Sequence, residues 1–398
     1  MIITSCILLA AALSTCNAEA MNVPERVLEL PSGKNNPRNS EGDFIRLKDG
    51  RILFVYSHYT GTNAADHGSA HLAMRESSDG GRTWTGEDKV VVENEGLQNV
   101  MSVSLLRLND GRIALFYLVK NSIFDCCPVV RISSDEAKTW SKPIKCVPDS
   151  ERDYYVLNNA RAVQLSCGRV VLPVCRHSTE KKANGKKGAL DEKGVIRTLI
   201  SDDNCATWRF GKDSFKTMSP SGKLRVTTQE PGVIELKDGR VMMWMRTMEN
   251  MQYVCYSSDR CETWTKAVPW NLNSPNSPAT VKRLSNGDMV AFWNDHGAHP
   301  DYKDPAVVGL HSRWCNGHRT PLTVAVSKDD GRTWIHRRDL EGNLKGWFCY
   351  YACLETDGVL LLGYCAKDNL RHSRITRIPL SWLYGPDRED DLGGFFRD

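Results

Sequence analysis

Three arginines, Arg38, Arg246 and Arg319, stand far apart in a chain of 398 residues, each next to an apolar segment that could aim it. Arg246 closes the run MMWMRT, Arg319 opens HRTPLTVAVS, and Arg38 begins PRNSEGDFIRLKDG. A guanidinium is a planar, permanently charged fork that can grip a carboxylate through two parallel hydrogen bonds. One such residue alone reads as solvated or paired, whereas three on one face would make a seat for an anion. Two acids invite a second kind of chemistry: Glu230 in TTQEPGVIELKDG and Asp66 in TGTNAADHGSAHLAMRESSDGG. Proton transfer needs a carboxyl partly withdrawn from water, although a loop Asp more often only forms a turn. Glu41, Asn159 and Arg161 start apolar strands, and Asp295 and His296 open a long insertion. His58, His67 and His71 lie close together, but their spacing fits no metal-ligand pattern, and no Cys-x₂-Cys pairs occur in register. No metal and no cofactor are expected.

These residues need a scaffold that brings distant segments together, and the chain writes one repeatedly. Nearly the same octet recurs as SSDGGRTW from Ser77, SSDEAKTW from Ser133, SDDNCATW from Ser201, SSDRCETW from Ser257 and SKDDGRTW from Ser327. Its Asp can accept hydrogen bonds from backbone N–H groups just downstream, which makes the octet a self-closing turn. Copies lie roughly 55 to 70 residues apart, the length of one small sheet. Before each octet runs an apolar hairpin: FIRLKDGRILFVY, LLRLNDGRIALFY, AVQLSCGRVVLPV, VIELKDGRVMMWM and TVKRLSNGDMVAFW. A sixth hairpin, CLETDGVLLLGY from Cys353, has no octet after it. The fold class is therefore all-β, a six-bladed β-propeller over residues 21–398. Its last blade is completed by an N-terminal strand, ERVLEL from Glu25, set beside ITRIPL from Ile375. The short turns fall on one face of the disc and the long connections, residues 58–71, 176–194 and 294–318, on the other, where chemistry should sit.

Composition narrows the partners. Lys and Arg together number 52 against 48 Asp and Glu, too even a balance for a nucleic-acid surface. The basic run KKANGKKGALDEK from Lys181 reads as a solvated loop. Residues 1–20 carry a short apolar stretch ending Ala18-Glu19-Ala20, which reads as a secretory signal peptide and predicts a secreted or periplasmic protein. Cys16 sits in an imperfect lipoprotein-type site. No later segment is apolar enough to span a membrane. Fourteen cysteines and export together allow disulfides, with a pairing that sequence leaves open, and Cys205 and Cys261 stand in octets where Gly would be expected.

The octets are similar to the Asp-boxes of the sialidase (neuraminidase) family, and the polar residues of the opposite face resemble that family's site. The resemblance covers nearly the whole chain after the signal peptide. It implies a retaining exo-α-sialidase acting on sialylated or other acidic glycans, with Arg38, Arg246 and Arg319 binding the substrate carboxylate. Arg38 departs from the family's Arg-Ile-Pro motif by lying two residues farther from the hairpin turn, a shift that keeps it on the same side of a strand. The family's extra arginine is not evident near Ser57 to Tyr59. The resemblance further implies Tyr351 as nucleophile, with Tyr350 as the alternative, Glu230 as its activating base and Asp66 as acid/base. A neutral phenol approaches an anomeric carbon that bears a carboxylate with less repulsion than a carboxylate would. Glu41, Arg161, Asp295 and Tyr350 are further candidate substrate contacts. Two other readings stay open: a glycosidase or lyase on another acidic sugar, a keto-deoxy acid or uronate, and a carbohydrate-binding propeller without catalysis.

Overall fold

The computed structural model describes residues 23–177, 190–297, 318–367, 371–386 and 394–396. The signal-peptide segment 1–20 with Cys16, residues 181–189 of the basic run and most of the 294–318 connection lie outside them. Six antiparallel sheets follow one another along the chain as the blades of a propeller. In the first, the strands Asn39–Arg46, Ile52–Tyr59, Ala70–Ser77 and Lys89–Val92 run from centre to rim, and the other blades repeat this order. In the third blade the inner strand is broken into Tyr155–Val156 and Val163–Gln164, both paired with Val170–Arg176. The expected closure is present: Glu25–Leu30 pairs antiparallel with Arg371–Pro379 as the outer strand of blade six. Among the described residues no helix is long and apolar enough to cross a membrane.

Apolar residues on both faces of each blade are buried because every sheet is sandwiched between two others. The core accordingly divides into six clusters, one at each seam between neighbouring blades. The octets hold the rim of these seams. In the first, the Asp79 carboxylate accepts from the Arg82 and Thr83 backbone N–H groups at 3.0 and 2.9 Å and from the Thr83 hydroxyl at 2.7 Å. Trp84 of that octet packs against the cluster shared with blade six. Cys205 and Cys261 take positive φ, 74° and 71°, where the first and fifth octets carry Gly and the second carries Ala137, and both thiols are free and buried, as the other described cysteines are free.

One irregularity of the inner strands decides the site. Their pairing slips between Ser40 and Asp43, Met101 and Ser104, Gln229 and Gly232, and Cys349 and Ala352. Each slip is a β-bulge, an extra residue that breaks the two-residue alternation. In each, one residue adopts left-handed φ: Glu41 at 53°, Ser102 at 61°, Glu230 at 48° and Tyr350 at 59°, with Ala160 at 55° near the break in blade three. Two positions after Glu230, Gly232 lets the inner strand press on the Trp244 ring, which a Cβ would overlap.

Candidate active site

At the ends of the inner strands remote from the hairpin turns lies a cavity of about 910 Å³, lined by Arg38, Asp66, Glu230, Arg246, Arg319 and Tyr350 among others. Blade one supplies Arg38 just before its inner strand and Asp66 from its long connection. Blade four supplies Glu230 from its bulge and Arg246 from the facing strand, where Gln229 and Arg246 are partners in register. Arg319 precedes the third strand of blade five, and Tyr350 stands in the bulge of blade six.

Each arginine is held differently. Arg38 donates to Asp66 Oδ1 at 2.5 Å and to Ser40 Oγ at 3.0 Å, with its guanidinium 4.7 Å from the centre of the Tyr59 ring. Arg246 donates to Glu230 Oε2 at 2.7 Å and to Asn276 Oδ1 at 2.6 Å. Arg319 lies over the rings of Trp347 and Tyr350, 4.6 and 5.4 Å from their centroids, and its buried Nη1 has no hydrogen-bond partner among the described residues. A buried guanidinium nitrogen left unsatisfied is costly, and a ligand oxygen is the kind of group that would satisfy it.

The acids and the phenol form one electrostatic unit. Tyr350 donates its hydroxyl to Glu230 Oε1 at 3.1 Å. Burial would raise the Glu230 carboxyl, but Arg246, Arg319 and the Tyr350 hydroxyl hold it below the usual carboxylate range. Burial and then the Glu230 charge push the Tyr350 phenol well up, against the pull of Arg319 and Arg246. The result is a neutral phenol hydrogen-bonded to an ionised base. Asp66, whose side chain is 65% exposed at the cavity mouth, is also held down, because Arg38, Lys120 and His67 outweigh its partial loss of solvation. Its backbone carbonyl accepts from Lys120 Nζ and from Asn99 Nδ2, both at 2.9 Å, so blade two fixes the loop that carries it.

Four sequence expectations are corrected by the coordinates. Tyr351 does not face the cavity. It is fully buried in the seam of blades five and six, and its hydroxyl donates to the Phe348 carbonyl at 2.9 Å. The bulge turns the preceding residue toward the centre and sends Tyr351 into the core. Arg161 lies beneath the cavity, donating to Thr280 Oγ1 at 3.0 Å and to the Ala279 carbonyl at 2.7 Å. Asp295 pairs with Arg337 at 3.0 Å and accepts from Gly297 N–H, away from the lining. Glu41 is buried 3.6 Å behind the Arg38 guanidinium.

Several residues that the sequence did not single out complete the site. Trp347 forms a wall under Arg319. Asn276, in the turn-rich segment before blade five, orients Arg246. His177, Cys365 and His372 join the lining. Asn159, noted only as a strand-start residue, donates to the Gly42 and Tyr350 carbonyls at 2.8 and 3.1 Å and so braces two of the bulges. The three histidines of blade one do not converge: His58 meets Asp88 at 2.9 Å and stacks on His71, whereas His67 meets Gln98. Among the described residues no three His, Cys, Asp or Glu side chains gather as a metal would require.

Residues 62–361 match the BNR repeat-like domain. The chain is 24% identical over 374 residues to a sialidase of Micromonospora viridifaciens, covering 87% of this chain and 50% of that protein. It is 24% identical over 269 residues to a sialidase of Bacteroides fragilis (strain YCH46), covering 63% and 41%. The chain thus spans half or less of the length of these relatives. Among solved structures it resembles Trypanosoma rangeli sialidase in complex with the inhibitor DANA, with a TM-score of 0.65, 16% identity, and 89% and 59% of the two chains covered.

Proposed function

Because this chain belongs to the BNR repeat-like domain family and gathers three arginines, two carboxylates and a phenol in one cavity, we propose that it is a retaining exo-α-sialidase-like glycosidase. The observation that carries the reading is the Tyr350–Glu230 hydrogen bond inside an arginine-lined pocket. In this mechanism the sugar carboxylate replaces Glu230 and Asp66 as partner of Arg246 and Arg38, and satisfies Arg319. Tyr350 attacks the anomeric carbon as its proton passes to Glu230, and the glycosidic C–O bond breaks as Asp66 protonates the leaving oxygen. Asp66 then takes a proton from water, which displaces Tyr350 as Glu230 returns its proton to the departing phenolate, so two inversions return the original configuration. Asp66 is poised for this only once the ligand takes Arg38 from it, since loss of that cation lifts its carboxyl toward the protonated form. Tyr350 therefore takes the nucleophile's role that the family resemblance had put on Tyr351.

Incubation with a fluorogenic aryl α-sialoside, with NMR of the first-formed sugar, tests the proposal. Release of the α anomer is expected, and release of the β anomer first would sink the retaining mechanism. A second reading, a glycosidase for another acidic sugar, is favoured by the displaced setting of Arg38, two residues farther from its hairpin turn than the family's motif places it. A panel of keto-deoxy acid and uronate glycosides separates the two: faster turnover of either than of the sialoside would favour the second.

A further inference from the structure

Two thiols face each other beneath the pocket. Cys349, the residue before Tyr350, and Cys365, on the neighbouring strand Val359–Lys367, are direct partners in antiparallel register, and their side chains hydrogen-bond to each other. Opposed residues of antiparallel strands have Cα atoms about 4.5–5.5 Å apart, within the roughly 4.4–6.8 Å that a disulfide spans. Of the two, Cys365 lines the cavity, and no other described cysteine does. Its Sγ lies 3.2 Å from Ser40 Oγ, which accepts from Arg38 Nη2, while Cys349 hydrogen-bonds to Arg319. The pair thus links two of the three arginines. Burial raises both thiols, but for Cys365 the Cys349 hydrogen bond, the Arg38 charge and the Ser40 hydroxyl outweigh it and bring the thiol down to about 6. A thiolate next to a protonated thiol, open to small molecules on one side, is the arrangement from which an oxidised pair forms.

We propose that Cys349 and Cys365 are a modification site for small hydroperoxides that enter through the sugar pocket, closed by oxidation to a disulfide. The Cys365 thiolate attacks a peroxide oxygen, the O–O bond breaks, and the departing hydroxide takes a proton to become water. The sulfur of Cys349 then attacks the Cys365 sulfenic acid, the S–O bond breaks, and a second water leaves with the Cys349 proton. Two thiols and one hydrogen peroxide give one disulfide and two waters, and a dithiol reductant reverses the change. Closure removes the Cys365 contact from Ser40 and the Cys349 contact from Arg319. Its effect on turnover rests on the glycosidase reading, whereas the linkage itself does not.

The test uses the full chain carrying Cys167→Ser, since Cys167 is exposed on a hairpin turn. After treatment with hydrogen peroxide, alkylation and digestion, mass spectrometry should find the Cys349 and Cys365 peptides joined and lighter by two hydrogens than their sum. Hydrolysis of the aryl α-sialoside should fall about tenfold, the effect of losing one hydrogen bond's support of an arginine, and recover with dithiothreitol. Separate alkylation of the two cysteines after peroxide overturns the proposal whatever the activity. Joined peptides with an unchanged rate overturn the consequence for the site. Absence of turnover before treatment overturns the glycosidase reading and leaves the mass result to decide the thiol pair.

Discussion

The two faces of this propeller handle their acids in opposite ways. On the turn face, Asp79 finds all its side-chain partners between Ser77 and Thr83, and Asp135, Asp203, Asp259 and Asp329 repeat the arrangement. The octet carboxyls are depressed, those of Asp79, Asp135 and Asp329 to about 2. On the cavity face, Glu230 meets Arg246, 16 residues away, and Tyr350, 120 residues away. Glu41 is pushed up to about 7, burial outweighing the nearby Arg38 charge. Acids that close a turn are satisfied by their own backbone and stabilise the fold. Acids that serve a pocket are held by side chains distant in sequence, on a facing strand or connection of their own blade or, for Tyr350, on another blade, and Glu41 is held at a cost.

The contrast breaks most sharply at the paired tyrosines. Tyr350→Phe should lower kcat roughly 10³-fold or more with an unchanged unfolding midpoint. Tyr351→Phe should leave the rate within a few-fold and reduce stability by about 0.5–1.5 kcal/mol, because it removes one of the two hydrogen bonds to the Phe348 carbonyl, which keeps Asn294 Nδ2 at 3.2 Å. The reverse pattern would restore Tyr351 to the site. Next in size, Arg319→Lys should lower kcat/KM by roughly 10–100-fold, since an ammonium cannot replace a bidentate fork; steady-state kinetics at constant ionic strength reads it.

Stability against pH then sharpens the comparison by sign. A carboxyl whose folded pKa is raised binds a proton in the folded state that the unfolded chain has already lost. Stability therefore falls as pH rises from about 4.3, the unfolded value, toward the folded value of about 7. Glu41→Gln should accordingly gain roughly 1–3 kcal/mol at pH 8 and nothing at pH 4 by urea titration; an equal gain at both would remove the buried charge as its cause. Asp79→Ala should do the opposite, losing about 1 kcal/mol at pH 7 without affecting turnover. Because Asp79 is depressed to about 2, that difference should shrink as pH falls from about 4 toward 2.

What the sequence made legible follows the same division. The octets and Asp-Gly hairpins are local, so their repetition revealed the blade count, and the lone strand from Glu25 followed from the need to close a ring. Arg246, Arg319, Asp66, Glu230 and even the displaced Arg38 were legible because each keeps its setting beside a readable strand. The bulges were not. A bulge changes no residue type and only shifts parity, and in blade six the hairpin turns through Asp357 and Gly358 at φ 47° and 77°, a shorter turn than the Leu-Lys-Asp-Gly corners of blades one and four. Counting back from the turn therefore lands differently on Tyr350 than on Glu230. Trp347, Asn276 and Asn159 act through contacts between blades, which no single segment encodes.

The strand from Glu25 has a temporal consequence. It meets its partner across nearly the full length of the chain, Glu25 opposite Arg377, and salt bridges from Glu29 to His372 and Arg374 and from Arg26 to Glu341 fasten the clasp. Such a contact has about the highest sequence separation the molecule offers, which places it among the slowest to form. Until it forms, both sheet edges lie open to other chains, the condition in which nascent β proteins aggregate. His372 sits at the clasp, paired with Glu29, and in the cavity wall, so the same contact that closes the ring also fastens one side of the pocket.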